Sequence, residues 1–356
     1  MSYTNGLDNP ELYFQAKLYT GTGSSQSITF DGSENMQPDW IWIKSRSNAH
    51  AHIAADSVRG ISNGGTKILV PNSTQAEETN SSGQGIQTAD SDGFTLGSET
   101  NTSGSTNGSS KTYVSWNWKA GGSASSNSNG TITSSVSANT TAGFSIVSYT
   151  GNGTTNATVG HGLGVTPNVI WFKRRDSSNN WINYFSELGT GHYLTLNTNG
   201  AKDSASGAWC TPGSSTFQLN QVFSAMNTNT ATYIAYCFAE KKGYSKFSSF
   251  VGNGSSDGSY IFLGFRPAWV MIKRTDGTNS WVIYDNKREG YNVDNDALQA
   301  NGNNAEGTSD DIDLLSNGFK MRTSGVGENG SGNSYIYMAF AHSPFTNSNG
   351  APNNAR

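Results

Sequence analysis

Four sets of side chains in this sequence have chemistry to offer: five histidines, an acidic stretch near residue 300, three evenly placed lysines, and tryptophans in polar surroundings. His50 and His52 alternate on one predicted strand face and could hold a metal, but a zinc site wants three or four ligands and no third is fixed by spacing. They read as surface polar residues. His161 lies in a glycine turn, and His192 and His342 stand alone. Asp294, Asp296, Glu306, Asp310, Asp311 and Asp313 are the one carboxylate cluster. Asp294-x-Asp296 begins a calcium-loop pattern and then loses its alternation. Two of these groups held ~5–10 Å apart would suit glycoside hydrolysis, but spacing alone does not supply that geometry. The region reads as a solvated acidic loop, with a cation between 294 and 313 left open. No Ser/His/Asp word, phosphate loop or dinucleotide fingerprint occurs. The expectation is a protein with no catalytic residues, no bound metal and no cofactor.

Lys44, Lys173 and Lys273 each end an apolar run, which predicts strand ends with packed stems and ammonium groups in water. Eight residues after two of them stand Trp181 and Trp281, in Asn179-Asn180-Trp181 and Asn279-Ser280-Trp281. A tryptophan among amides can stack on a sugar ring, since it joins an apolar face to a polar tip. The competing reading, which carries more weight, has each begin the next strand and pack inward. Trp209 is a third, weaker candidate for glycan stacking.

The elements that position these groups come from a repeat. Pro38-Asp39-Trp40-Ile41-Trp42-Ile43-Lys44, Pro167-Asn168-Val169-Ile170-Trp171-Phe172-Lys173 and Pro267-Ala268-Trp269-Val270-Met271-Ile272-Lys273 share one pattern. Upstream of each lies an aromatic residue followed by Gly-x-Gly: Tyr19 to Gly23, Tyr149 to Gly153, Phe250 to Gly254. Downstream each copy closes on a segment led by Tyr113, Tyr233 or Tyr335. A fixed order of signals at three places marks internal repetition. Proline suits the first residue of a strand, and the unbroken apolar run behind it predicts a central strand covered on both faces.

Short strands between Gly, Asn and Ser turns predict an all-β chain of three tandem β-sandwich domains, jelly-roll or Ig-like. The expected boundaries are a lead-in at 1–11, repeats at 12–120, 143–246 and 247–345, a Gly/Ser/Asn-rich linker at 121–142, and a polar tail at 346–356. The linker suggests that the first repeat is the more independent one, with the other two a rigid pair. Cys210 and Cys237 have no counterparts in other repeats, which speaks against a disulfide framework.

Charged residues are 13% of the chain, about half the ~25% of ordinary globular proteins. With 9 Trp and a net charge of −4, it is not a disordered composition. No basic run marks a nucleic-acid partner. No stretch approaches the ~20 apolar residues of a membrane span, and Met1 to Gly6 does not resemble a secretory leader.

Phe14-Gln15-Ala16-Lys17-Leu18-Tyr19-Thr20-Gly21, Asp92-Gly93-Phe94, Val114 to Gly121 and Tyr335 to Ala341 resemble an uncharacterised repeat family of marine, cyanophage-like bacteriophage virion proteins. The resemblance spans all three repeats and implies a structural protein without enzymatic activity. It implies a virion location, in the tail rather than the capsid, after synthesis in the host cytoplasm. Other virion subunits, a homotrimer by analogy with phage fibres, and a host-surface glycan or receptor are the implied partners. A tail fibre or tail-associated adhesin is the leading expectation. A purely architectural part, such as a capsid decoration or tail connector, is the alternative, and a polysaccharide depolymerase is weaker.

Overall fold

A computed structural model describes residues 7–99, 105–288, 292 and 294–345, with the side chains of all these but 294, 295 and 309–311. The chain is all-β. Among the described residues the only helices are two single 3-10 turns, Pro10–Leu12 and Ser186–Leu188. Several antiparallel sheets pack as β-sandwiches.

One strand order occurs three times, and each set is called a unit here. In unit 1 an opening strand (Phe14–Thr20) pairs with the closing strand (Thr112–Trp118). That strand pairs with the central strand (Trp40–Ser45), followed outward by Ile53–Asp56 and Lys67–Leu69. Phe144–Thr150, Thr232–Phe238, Val169–Arg174, Ile182–Phe185 and His192–Thr195 repeat this order in unit 2. Ser245–Val251, Ser334–Pro344, Phe265–Arg274, Trp281–Asp285 and Asp294–Gln299 repeat it in unit 3. A second layer covers each: a separate three-stranded sheet in units 1 and 2, and the far end of one continuous eight-stranded sheet in unit 3. In it Ile28, Val159 and Ile261 face Phe94, Phe217 and Phe319 in register.

The glycine turns recur for a reason. A Cβ on Gly21, Gly151 or Gly252 would lie 2.3–2.4 Å from the carbonyl oxygen of Gly108, Thr228 or Gly330. The loops that crowd them carry the buried Asn107, Asn227 and Asn329. Each accepts a backbone N–H at 3.0–3.1 Å, from Thr22, Asn152 and Asn253 respectively. The tyrosines that lead the closing strands, Tyr113, Tyr233 and Tyr335, accept N–H bonds at 2.8 Å from the same loops.

The closing strands show how the units combine. On one face Tyr233, Ala235 and Cys237 look into unit 2's own sandwich; on the other, Ile234, Tyr236 and Phe238 enter a core shared by all three units. Trp40, Trp42, Trp116 and Trp118 meet Trp171, Phe238, Trp269 and Phe340 there. Trp40 stacks on Tyr236 at 4.7 Å, and Trp118 sits edge-on to Trp269 at 5.7 Å. An aromatic side chain buries roughly 150–250 Å², so at about 25 cal/mol per Å² each contributes ~4–6 kcal/mol before entropy.

Two expectations are corrected here. The first repeat is not independent, because the large faces of all three central sheets bury against one another. Residues 121–142 are not a free linker either: Ser125–Asn127 and Ser134–Asn139 form strands, the second paired with Phe144–Thr150. Cys210 and Cys237 are both buried, free thiols.

Candidate functional site

The three lysines, Trp181 and Trp281 converge on the seams between units, not on a surface. Trp181 Nε1 donates to Val70 O of unit 1, and Trp281 Nε1 to Thr195 O of unit 2, both at 3.1 Å. Both rings are fully buried. Inward packing, the weightier of the two readings for Trp181 and Trp281, is what the structure has, and neither ring is open for glycan stacking, because each indole locks one unit to the next.

His52 occupies the same place in unit 1. It follows Lys44 by eight residues, as the tryptophans follow Lys173 and Lys273. Its Nε2 meets Gln299 O of unit 3 at 3.0 Å, while Nδ1 accepts Trp42 Nε1–H at 2.8 Å. Indole can only donate, so Nε2 carries the proton and donates. Burial, then Lys44, lowers the imidazole pKa to about 3. His52 is thus a neutral seam residue, not the surface residue the sequence suggested, and the seams close a cycle of 1 to 2, 2 to 3 and 3 to 1.

Lys173 Nζ donates to Thr74 O across the first seam at 2.8 Å, and Lys273 Nζ to Asn199 O across the second at 3.5 Å. Lys44 Nζ donates within its own unit, to Ser45 O at 2.6 Å. All three are buried, which corrects the expectation of ammonium groups in water. Desolvation lowers each pKa to about 8.

Carboxylates and arginines complete two seams. In unit 3 Asp285 accepts from Arg288 Nε at 2.7 Å and from Trp116 Nε1 of unit 1 at 2.9 Å. Arg288 Nη1 reaches Glu306 at 2.9 Å, and Glu306 binds Arg46 of unit 1. Unit 1 repeats the network toward unit 2: Asp56 holds Arg59 and accepts from Tyr236 Oη at 2.7 Å. Glu77 there joins Arg59 to Arg175. Burial works against the charge on Arg59 and Arg288, but the neighbouring carboxylates outweigh it and raise both pKa values.

The acidic stretch is thereby explained where it is described. Asp296 and Glu306 pair with Arg46, and Asp313 lies 3.4 Å from Arg322. The side chains of Asp294, Asp310 and Asp311 lie outside the described residues. Among the described residues, no three His, Cys, Asp or Glu side chains gather as for a metal ion.

Trp209 is also buried, so it offers no stacking face, but it leads to an open site. Its ring lies 5.7 Å from Tyr193 and 6.4 Å from Phe223, and its Nε1 is fixed by His192 O at 2.8 Å. Tyr193 and Phe223, half-buried and 6.2 Å apart, line a cleft of about 270 Å³ with Asn179, Asn180, Asp203 and Ser224. Asn179 Nδ2 donates to Ser224 Oγ at 3.0 Å, and Asn180 Oδ1 accepts from Asn197 at 2.9 Å. Burial, then Asp203, raises the Tyr193 pKa, so the phenol keeps its proton. The cleft combines aromatic carbon with amide, hydroxyl and carboxylate groups, and its size is near the lower end of ligand sites, ~300 Å³.

Unit 1 has a cleft of about 270 Å³ at the equivalent place, lined by Ile53, Ile68, Glu78, Asn80 and Glu99, without an aromatic ring. Sequence reasoning missed Tyr193 and Phe223. The available signal was their contrast with equivalent positions, where units 1 and 3 have Ile68 and Ala297 for Tyr193, and unit 3 has Gly325 for Phe223.

A family model described as a domain of unknown function (DUF7483) matches residues 9–344, so the chain belongs to that family across all three units. No curated protein and no solved structure matches the chain.

Proposed function

We propose that this member of the family is a non-catalytic structural protein of a phage virion that serves as a tail-associated adhesin, contacting host-surface saccharide through the cleft of unit 2. The observation that carries this reading is the cleft itself: Tyr193 and Phe223, backed by Trp209, beside Asn179, Asn180 and Asp203. Saccharides present C–H faces that pack on aromatic carbon and hydroxyls that pair with amides and carboxylates. The cleft is open, and the body beneath it is rigidly cross-braced. That arrangement suits adhesion better than turnover.

The carboxylates of a depolymerase have less support, since Asp296 and Glu306 are committed to Arg46 and Arg288. The phage assignment rests on the sequence resemblance. Fibre-like trimerisation is not needed to close the shared core, because three units of one chain already complete the cycle.

Cryo-electron microscopy of intact particles that carry the chain tests the proposal. Density at the distal end of a tail appendage is expected. Density on the capsid lattice or inside the tail hub would overturn the adhesin reading in favour of an architectural part.

A further inference from the structure

The cleft of unit 2 carries a charge that no neighbouring side chain answers. Tyr193 lies directly opposite Asp203 across two antiparallel strands. Side chains of opposed residues leave the same face, with Cβ atoms ~4.5–5.5 Å apart, so the carboxylate stands beside the phenol ring. The phenol registers it, since Asp203 helps to raise the Tyr193 pKa. Asp203 is exposed and makes no hydrogen bond or ion pair among the described residues. The Tyr193 hydroxyl has no hydrogen-bond partner there either.

No cationic side chain lines the cleft. Lys202 precedes Asp203 in the strand and so alternates to the other face. Lys173 Nζ is buried and held by the carbonyl oxygens of Asn179 and Thr74, at 2.6 and 2.8 Å. Apart from Asp203 the lining is neutral: amides, hydroxyls and carbon.

The other units lack this combination. Unit 1 has Ile68 opposite Glu78, and Glu78 accepts from Gln75 Nε2. Unit 3 has Ala297 opposite Gly307. Among the three, unit 2 alone joins an aromatic ring to an unpaired carboxylate at this register.

A carboxylate next to aromatic faces suits a cation. An ammonium is attracted by a ring face within ~6 Å of its centroid, and its hydrogen bond to a carboxylate is about twice as strong as a neutral one. Tyr193 and Phe223, 6.2 Å apart and inclined at 61°, supply the rings. A sugar hydroxyl gains the hydrogen bond without the charge, and a sugar carboxylate is repelled.

We propose that the cleft of unit 2 selects saccharides that carry a free amino group, with Asp203 as the residue that sets this specificity. The C–H face of the sugar packs on the aromatic carbon, and its ammonium pairs with Asp203. The proposal rests on the saccharide reading of the cleft and adds to it the charge of the ligand.

The test is a glycan array that holds amine-bearing saccharides beside their N-acetylated forms and beside uronates. It is read slightly below neutral pH, where the amines are protonated, with the intact chain and an Asp203→Asn chain. Asp203 is exposed, and circular dichroism checks the fold of the variant. The intact chain should bind amine-bearing saccharides at least about tenfold more tightly than their N-acetylated forms, and Asp203→Asn should abolish that preference. Equal binding of the N-acetylated forms, or preferred binding of uronates, would overturn the proposal and leave the saccharide reading standing. So would a preference unchanged in Asp203→Asn, which would trace it to the net charge of −4. Binding of no saccharide by the intact chain would overturn both.

Discussion

Unit 2 differs from units 1 and 3 in what it places at equivalent positions. Where units 1 and 3 carry the buried pairs Asp56–Arg59 and Asp285–Arg288, unit 2 has Phe185 and Leu188. Its seam to unit 3 correspondingly lacks a buried carboxylate–arginine pair: Phe185 packs against Trp281 at 5.9 Å, and Lys202 N donates to Thr275 O where Glu77 and Glu306 meet arginines at the other seams. Unit 2 also has the Trp209-backed cleft and an extra edge strand, Ser134–Asn139, paired with its opening strand. The shared features, tyrosine-capped loops and a bonded ring at each seam, hold the frame.

Removing one partner of a buried charge pair sharpens this contrast most. Arg59→Met and Arg288→Met should each destabilise the protein by about 3–5 kcal/mol, because Asp56 or Asp285 is left buried without its cation. Leu188→Met, at the equivalent site of unit 2, should cost under ~1.5 kcal/mol. Urea unfolding of the three variants makes the comparison, and equal losses would break it.

Trp281→Phe keeps a ring in the seam but removes the bond to Thr195 O, and should cost about 0.5–1.5 kcal/mol, one hydrogen bond, since Thr195 O keeps its 3.4 Å bonds from Thr198 N and Oγ1. His52 performs the same task in unit 1 through a titratable group. Its folded pKa of about 3 lies below its ordinary 6.5. Between those values the unfolded chain binds the extra proton, so stability should fall as pH drops from 6.5 toward 3. His52→Gln should flatten that slope, measured as urea midpoints against pH; an unchanged slope would remove His52 from the account.

The seam lysines act at the other end of the scale. Each titrates near 8 when folded and 10.5 ordinarily. From pH 8 to 10.5 the unfolded chain holds more protons, so the cost of burying these ammonium groups fades and stability should rise. A smaller rise in Lys173→Met and Lys273→Met variants is the expected check.

The repeated strands were legible in the sequence because each lies between glycine turns and ends on the same lysine. The unbroken run Trp40 to Ile43 also signalled a strand covered on both faces. What covers the second face was not legible, since an apolar run does not say whether its partner is the same unit or the next. His52 was hidden by residue type: it matches Trp181 and Trp281 in place and bonding but not in identity. The strand within 121–142 was hidden because Ile132 and Val136 are its only large apolar residues. The cleft emerged only when Tyr193 and Phe223, distant in sequence, were brought together over Trp209.

Saccharide binding by the cleft tests the account most directly. A glycan array read with the intact chain and with a Tyr193→Ala/Phe223→Ala variant makes the measurement, with circular dichroism to check that the variant is folded, since both rings pack against Trp209 and their loss also costs stability. The account predicts that the chain retains a defined set of saccharides and that the variant loses at least about tenfold in affinity for them, ~1.4 kcal/mol. Undiminished binding by the variant, or no saccharide retained by either protein, would contradict it.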